Sequence, residues 1–276
     1  MPVISTNTAA NSALRFLNAN SSEQSSSLSK IASGSRINKA SDDAAGLAIS
    51  TGLSSDVTTL NQAATNASQA SSILQIADGG MSNVADILER MKALATQSNS
   101  GSVTDDQRTY LQAEFSELQE EIDGIAKGTR YNGESLLDGT GSMASGVDFM
   151  VGTATTDVIS VQIDDVDSTE LGVNTSAINV STQSGAQTAL TAIDAAITSV
   201  ASSRAEIGAS MSRFEFRSDT IATSIENTEA ANSAITDTDV ATEQTKLSSA
   251  EVKTQAAIAA LSSANEMPQN LLDLLR

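Results

Sequence analysis

Residues 184–235 read SGAQTALTAIDAAITSVASSRAEIGASMSRFEFRSDTIATSIENTEAANSAI. Two sets of positions recur every seven residues within it. One is Leu190, Ile197, Arg204, Met211, Ser218 and Ile225; the other is Ile193, Val200, Ile207, Phe214, Ile221, Thr228 and Ile235. Two mainly apolar positions per heptad line one face of an α-helix and define a coiled-coil seam. Ser184 and Gln187 have capping-box spacing at its start. At ~1.5 Å per residue, about 45 residues make a rod of roughly 70 Å. The chain is therefore predicted to be mainly α: a long helical coiled-coil rod.

Outward from this segment the same rhythm returns. Leu53, Leu60, Ala67, Leu74, Met81, Leu88 and Ala95 mark a helix over about 43–98, in which Gly79-Gly80 offers an interruption and a bend. Thr104 and Gln107 repeat the capping-box spacing ahead of Leu111, Phe115, Leu118, Ile122 and Ile125, which predicts a third helix ending near Gly128. A first helix over about 5–33 carries Leu14, Leu17, Leu28 and Ile31, with Ser21 and Gln24 filling the intervening seam slots and Gly34 as a stop. A last segment carries Val240, Leu247, Ile258 and Leu261 and then Leu271, Leu272 and Leu275.

The middle differs in character. Between Tyr131 and Ser203 there are nine acids and no Lys or Arg. Phe149 and Val151 precede a Gly-containing turn, after which Ile159, Val161 and Ile163 alternate with polar residues, the pattern of a β-hairpin. Residues 165–184 read as an exposed loop. The expected organisation is a terminal coiled-coil pair (1–40 with 237–276), a helical domain (41–140 with 185–236), and a small β-hairpin/loop insert with an acidic surface loop (141–184).

Composition narrows the function. The 276 residues contain no His and no Cys, which removes the usual general base, thiolate nucleophiles and the ligands of zinc sites. A net charge of −19 argues against nucleic acid or an anionic membrane as partner. No apolar run approaches the roughly 20 residues of a membrane helix. The start carries no compact apolar stretch after a basic segment, so taken alone the chain is expected either to be cytoplasmic or to be exported by a route that reads something else. Asp164, Asp165, Asp167 and Glu170 lack the central Gly and terminal Glu of a calcium loop. No catalytic, metal or cofactor site is predicted.

Both terminal segments are only marginally amphipathic. Short isolated helices need partners, so each terminus is expected to pair with the other and to gain order in an assembly. The Leu-rich tail is then a contact patch.

The residues SGSRINKASDDAAGLAI at 33–49 resemble the flagellin signature almost residue for residue. DTDVATE at 237–243, the ending ANEMPQNLLDLLR at 264–276, and RYNGESLL at 130–137 are similar to matching parts of the same family. The resemblance implies a structural subunit that polymerises with copies of itself into the bacterial flagellar filament. It implies terminal segments lining the filament channel and a surrounding shell made by the middle helices. It implies unfolded export through the flagellar secretion apparatus to the cell exterior, helped by a chaperone, with hook–filament junction and cap proteins as further partners. Junction proteins share parts of both ends, and a secreted helical adhesin would share the heptads; both are alternatives.

The polymerisation contacts expected are Ile4, Leu14, Leu17, Leu28, Ile31, Val240, Leu247, Ile258, Leu261, Leu271, Leu272 and Leu275. Some flagellins present an innate-immune receptor patch; Arg90, Leu94 and Glu114 resemble it, with a contact between neighbouring subunits as the other reading. Thr155, Thr156, Ser160, Ser168, Thr169, Ser181 and Thr182 are hydroxyls expected in the outer insert and open to O-glycosylation.

Overall fold

The computed structural model describes residues 6–273, and the side chains of residues 6–267. Five helices dominate the described residues: α1 (Thr8–Ser33), α2 (Ala44–Asn99), α3 (Asp105–Gly128), α4 (Gln183–Thr236) and α5 (Val240–Asp273). Two short antiparallel pairs complete the fold, β1 (Arg130–Tyr131) with β2 (Glu134–Ser135), and β3 (Val147–Met150) with β4 (Val158–Val161). The chain is mainly α with a small hairpin insert.

Residues Val57–Glu226 form one compact unit. Its core is built from the predicted heptads. Leu60, Ala67, Leu74, Met81, Leu88 and Ala95 of α2 are buried, as are Ile193, Val200, Ile207, Phe214 and Ile221 of α4. A second α2 row, Ala63, Ala70, Ala77, Val84 and Met91, completes the seam. On α4 the companion row is Ala186, Ala189, Ala196 and Ser203 rather than Leu190, Ile197 and Arg204, which are half-buried.

Helix α3 begins with the expected capping box: Gln107 N–H donates to Thr104 Oγ1, and the Gln107 side chain accepts from Thr104 N–H. Buried Arg108 closes the preceding turn by donating to the carbonyls of Ser98 and Ser100. The predicted hairpin is present, with Phe149 opposite Ile159 and Met150 opposite Val158. Phe149 meets Phe214 edge to face at 5.8 Å.

Four expectations are corrected. Helix α2 continues through Gly79 and Gly80; a Cβ on Gly80 would lie 2.6 Å from Thr129 Oγ1 and 2.7 Å from Leu137 Cδ1, so close packing explains that glycine. Helix α4 is capped by Thr182, whose Oγ1 accepts from Gly185 N–H at 3.0 Å, two residues before Ser184. Residues 165–184 are not an exposed loop: Val166, Leu171, Val173, Ile178 and Val180 are buried in the core cluster. The Asn132-Gly133 turn, with both residues at positive φ, makes the β1–β2 hairpin that the sequence reading passed over.

The other compact unit comprises the residues up to Asp56 and from Asn227 onward. In it α1 packs along α5.

Candidate assembly interface

The α1/α5 pair is the structure's counterpart of the expected contact region. The buried and half-buried positions of α5 step through Glu243, Leu247, Ala250, Thr254, Ala257, Leu261 and Ala264. Those of α1 step through Ala10, Ala13, Leu17, Asn20, Gln24, Ser27 and Ile31. Both alternate threes and fours, the spacing of a coiled-coil seam. Yet ten of these fourteen seam positions are alanine or polar. The expected row with Leu14, Ser21 and Leu28 is displaced by one residue, onto Ala13, Asn20 and Ser27. This puts Leu14 and Leu28 outside the seam, where both are exposed.

Polar groups fix the register. Glu243 is buried in the seam; one carboxylate oxygen accepts from Ser27 Oγ at 2.7 Å and the other from Lys246 Nζ at 2.9 Å. The ammonium of Lys246 and then the Ser27 hydroxyl hold its carboxyl below the usual range. At the other end Asn7 caps α1 by accepting from Ala10 N–H at 3.0 Å and donates to the Ala264 carbonyl at 2.7 Å. One side chain thereby starts α1 and ties it to α5.

The signature residues build the joint beneath this pair. Gly34 ends α1 with φ +72°, a conformation glycine adopts at little cost. Arg36 N–H donates to Thr236 O at 2.6 Å and Thr238 N–H to Gly34 O at 3.0 Å, so the two chain crossings share a short antiparallel bridge. Arg36 Nη2 adds a bond to the Ile235 carbonyl. Asp42 Oδ2 accepts from Lys39 and Asn38 N–H, which lowers its pKa. Asp43 accepts from Gly46 N–H at 2.9 Å. A Cβ on Gly46 would meet Asp43 Oδ2 at 2.5 Å and Ile37 Cδ1 at 2.8 Å, so this position tolerates no side chain without displacing the cap. Asp239 caps α5 by accepting from Thr242 Oγ1 and from Ala241 and Thr242 N–H. These bonds lower its pKa, Thr242 first. The SGSRIN and DTDVAT motifs are thus two halves of one hydrogen-bonded turn.

Of the expected contact residues, Leu17, Ile31, Leu247 and Leu261 lie in the α1/α5 seam, while Leu14, Leu28, Val240 and Ile258 are exposed. The reading missed Phe16, Val252 and Met267, which are also exposed. Ile4 and Leu275 lie outside the described residues. Leu271 and Leu272 fall in α5 beyond the described side chains.

In the larger unit, Arg90 forks onto Glu114 Oε1 at 2.9 and 2.5 Å on the surface. Leu94 is 2% exposed, so it serves the core and cannot touch a receptor. Among the hydroxyls, Thr155, Thr156, Ser160, Thr169 and Thr182 are exposed and Ser181 is half-buried. Ser168 is 3% exposed, because the strap that carries it packs on α3 through Asp123, which accepts from its N–H. That position is withdrawn as a modification site.

Family comparison decides the class. The family described as "Bacterial flagellin N-terminal helical region" matches residues 4–142, and "Bacterial flagellin C-terminal helical region" matches residues 190–275. The chain belongs to the flagellin family. Flagellin from Halalkalibacterium halodurans is 34% identical over 274 residues, covering 99% of this chain and 100% of that one. Flagellin from Bacillus subtilis is 36% identical over 304 residues, 99% of each chain. A flagellar filament 30.7 kDa core protein from Treponema maltophilum is 34% identical over 283 residues, again 99% of each. The crystal structure of Bacillus cereus flagellin matches with TM-score 0.51 and 28% identity, over 57% of this chain and 88% of that chain. A putative flagellar hook-associated protein from Vibrio parahaemolyticus matches with TM-score 0.59 at 15% identity, over 71% of this chain and all of that one, which is a likeness of fold. This flagellin is a structural subunit of the extracellular flagellar filament.

Proposed function

We propose that the subunit polymerises through its α1/α5 pair, with Leu14, Leu28, Val240 and Ile258 as contacts to neighbouring copies. Ile4, Leu271, Leu272 and Leu275 are further contacts in this reading. The observation that carries the reading is a partly inverted pair: alanines and polar residues such as Ser27 and Glu243 fill most of the inner seam beside Leu17, Ile31, Leu247 and Leu261, while Leu14, Leu28, Val240 and Ile258 face water. Large apolar groups left facing water favour burial against another surface. Residues 1–40 and 237–276 line the channel, and 41–140 and 185–236 form the shell, with the exposed positions of the 141–184 insert on its outer side. The chain acts mechanically and carries no catalytic site. It is exported unfolded through the flagellar secretion apparatus, with a chaperone covering the C-terminal segment, and hook–filament junction and cap proteins bound the polymer. Swimming motility follows from rotation of that polymer. Arg90 and Glu114 serve a contact between shell neighbours, their ion pair being open to solvent in the single chain. The exposed hydroxyls Thr155, Thr156, Ser160, Thr169 and Thr182 carry any O-glycan, with Ser181 less open.

The test is seeded growth. Purified chain is added to sheared filament fragments and followed by electron microscopy, beside the variant L14S/L28S/I258S. The wild type grows long tubes, and the variant keeps its helical circular dichroism while failing to elongate. Elongation of the variant at the wild-type rate overturns the assignment of these contacts.

A further inference from the structure

The chain has only seven aromatic residues, five Phe and two Tyr. Even so, Tyr110 is 78% exposed on α3 and Phe216 is 74% exposed on α4. A chain with so few bulky side chains gains nothing in stability from placing them in water. Exposed aromatics flanked by charge are the usual anchors of protein interfaces.

The two sites carry opposite charge. On α4, Phe216 lies on one face with Arg213 and Arg217, beside a shallow depression against Val151 and Val158 of the hairpin. Arg217 is engaged by the Val151 carbonyl at 2.9 Å and by Asp157 at 3.3 Å. Arg213 has no hydrogen bond or ion pair among the described residues, in a stretch from 131 to 245 that holds only three basic residues. On α3, Asp106, Tyr110, Glu117 and Glu121 are exposed and follow helical spacing along one side. Asp106, Glu117 and Glu121 likewise have no cationic partner among the described residues. One surface offers a cation and an aromatic beside a hollow lined by Val151, Val158 and Ile159 together with Thr156 and Asp157; the other offers an aromatic among carboxylates.

We infer that the Arg213–Phe216 face of one subunit docks on the Tyr110–Glu117–Glu121 stripe of the next. The partner is a second copy of this chain because each copy carries both halves, and their charges are complementary. Two different patches in contact make a heterologous interface, which repeats into an open polymer instead of closing a two-fold dimer. Arg213 then pairs with the carboxylates and can lie on the face of Tyr110. The inference rests on the filament reading and assigns it a second contact, independent of the terminal helices.

The experiment is a charge swap in the full chain, scored by seeded elongation at fixed salt. R213E alone, and E117R/E121R alone, are expected to slow elongation about tenfold or more. The combined R213E/E117R/E121R chain is expected to recover to within about threefold of wild type. All the substituted side chains are exposed, and unchanged melting of the monomer by circular dichroism checks the fold. Single variants that elongate like wild type overturn the inference. So does a combined variant no faster than the slower single variant, since that denies the pairing. Wild-type chain that fails to extend seeds sinks the filament reading itself, and this contact with it.

Discussion

Ser27→Ala isolates the polar lock of the terminal pair. The substitution removes one hydroxyl and leaves Glu243 buried, with Lys246 as its remaining partner. A hydrogen bond to a charged group contributes about 1.5–3 kcal/mol. Taking ~2 kcal/mol, and about 1.4 kcal/mol per decade, the α1/α5 pair is weakened about thirtyfold. Where that loss registers depends on when the pair forms. If pairing accompanies docking onto a filament end, the whole penalty falls on elongation, and the free chain left at equilibrium rises about thirtyfold. Sedimentation of seeded filaments reads this directly from the supernatant. If the pair is already complete in the free subunit, the penalty is equal on both sides and the supernatant is unchanged. A residual concentration within twofold of wild type refutes the coupling of pairing to assembly. The pH dependence has a fixed sign. Glu243 titrates below its ordinary value of 4.5 when folded, because of Lys246 and then Ser27. Its contribution is complete above that value and lost as pH falls through the lower folded one. Glu243→Gln should flatten the acid dependence of the supernatant concentration over that window.

Three further outcomes follow from packing. Gly46→Val places a branched side chain where even a Cβ meets Asp43 and Ile37; overpacking costs about 1–3 kcal/mol, and faster amide exchange in the first turns of α2 is the readout. Leu88→Ala opens a cavity at a fully buried site and should lower the stability of the larger unit by about 2–5 kcal/mol, read from its urea transition. Asp165 is raised above the usual carboxylate range by burial and by Asp167, Glu170 and Asp138 nearby. Its ionisation therefore destabilises the fold as pH rises through the folded value. Asp165→Asn, which keeps an acceptor for Asp167 N–H, should raise the melting temperature at pH 7 and leave it nearly unchanged at pH 3.

The larger unit was legible because its seams obey one rule: apolar side chains at helical spacing turn inward. Leu60 to Ala95 on α2 and Ile193 to Ile221 on α4 follow it and are buried. Thr104 and Gln107 were readable because the capping box is local. The strap at 165–184 was misread because its buried residues, Val166, Leu171, Val173, Ile178 and Val180, have neither helical nor strand period, while its acids are conspicuous. Each apolar side chain there enters the core singly, held by backbone bonds such as Val166 N–H to Leu137 O at 3.0 Å. Gly80 was misread for a related reason. A mid-helix glycine pair signals a bend or a close approach, and the approaching groups, Thr129 and Leu137, are distant in sequence. The opposed charges of the Arg213 and Glu117 surfaces were present in the sequence too, but their exposure is knowable only from the fold.

The terminal pair fails the inward rule in a way that bears on function. Assigning α1 by its leucines moves the seam one residue toward Leu14 and Leu28, whereas the chain turns Ala13, Asn20 and Ser27 inward. A pair optimised for its own stability would bury the leucines, since each buried Leu or Ile contributes about 1.5–3 kcal/mol. Keeping Leu14, Leu28, Val240 and Ile258 in water leaves that free energy unrealised in the single subunit. It becomes available when a second surface covers them. Under the proposed assembly, the weak inner seam and the apolar outer face are one device: the subunit remains loose enough to travel unfolded, and most of its terminal stability arises only on docking. A chain redesigned with leucine at positions 13 and 20 and serine at 14 and 28, Ser27 kept as the partner of Glu243, should therefore gain stability as a monomer and lose the ability to extend a filament.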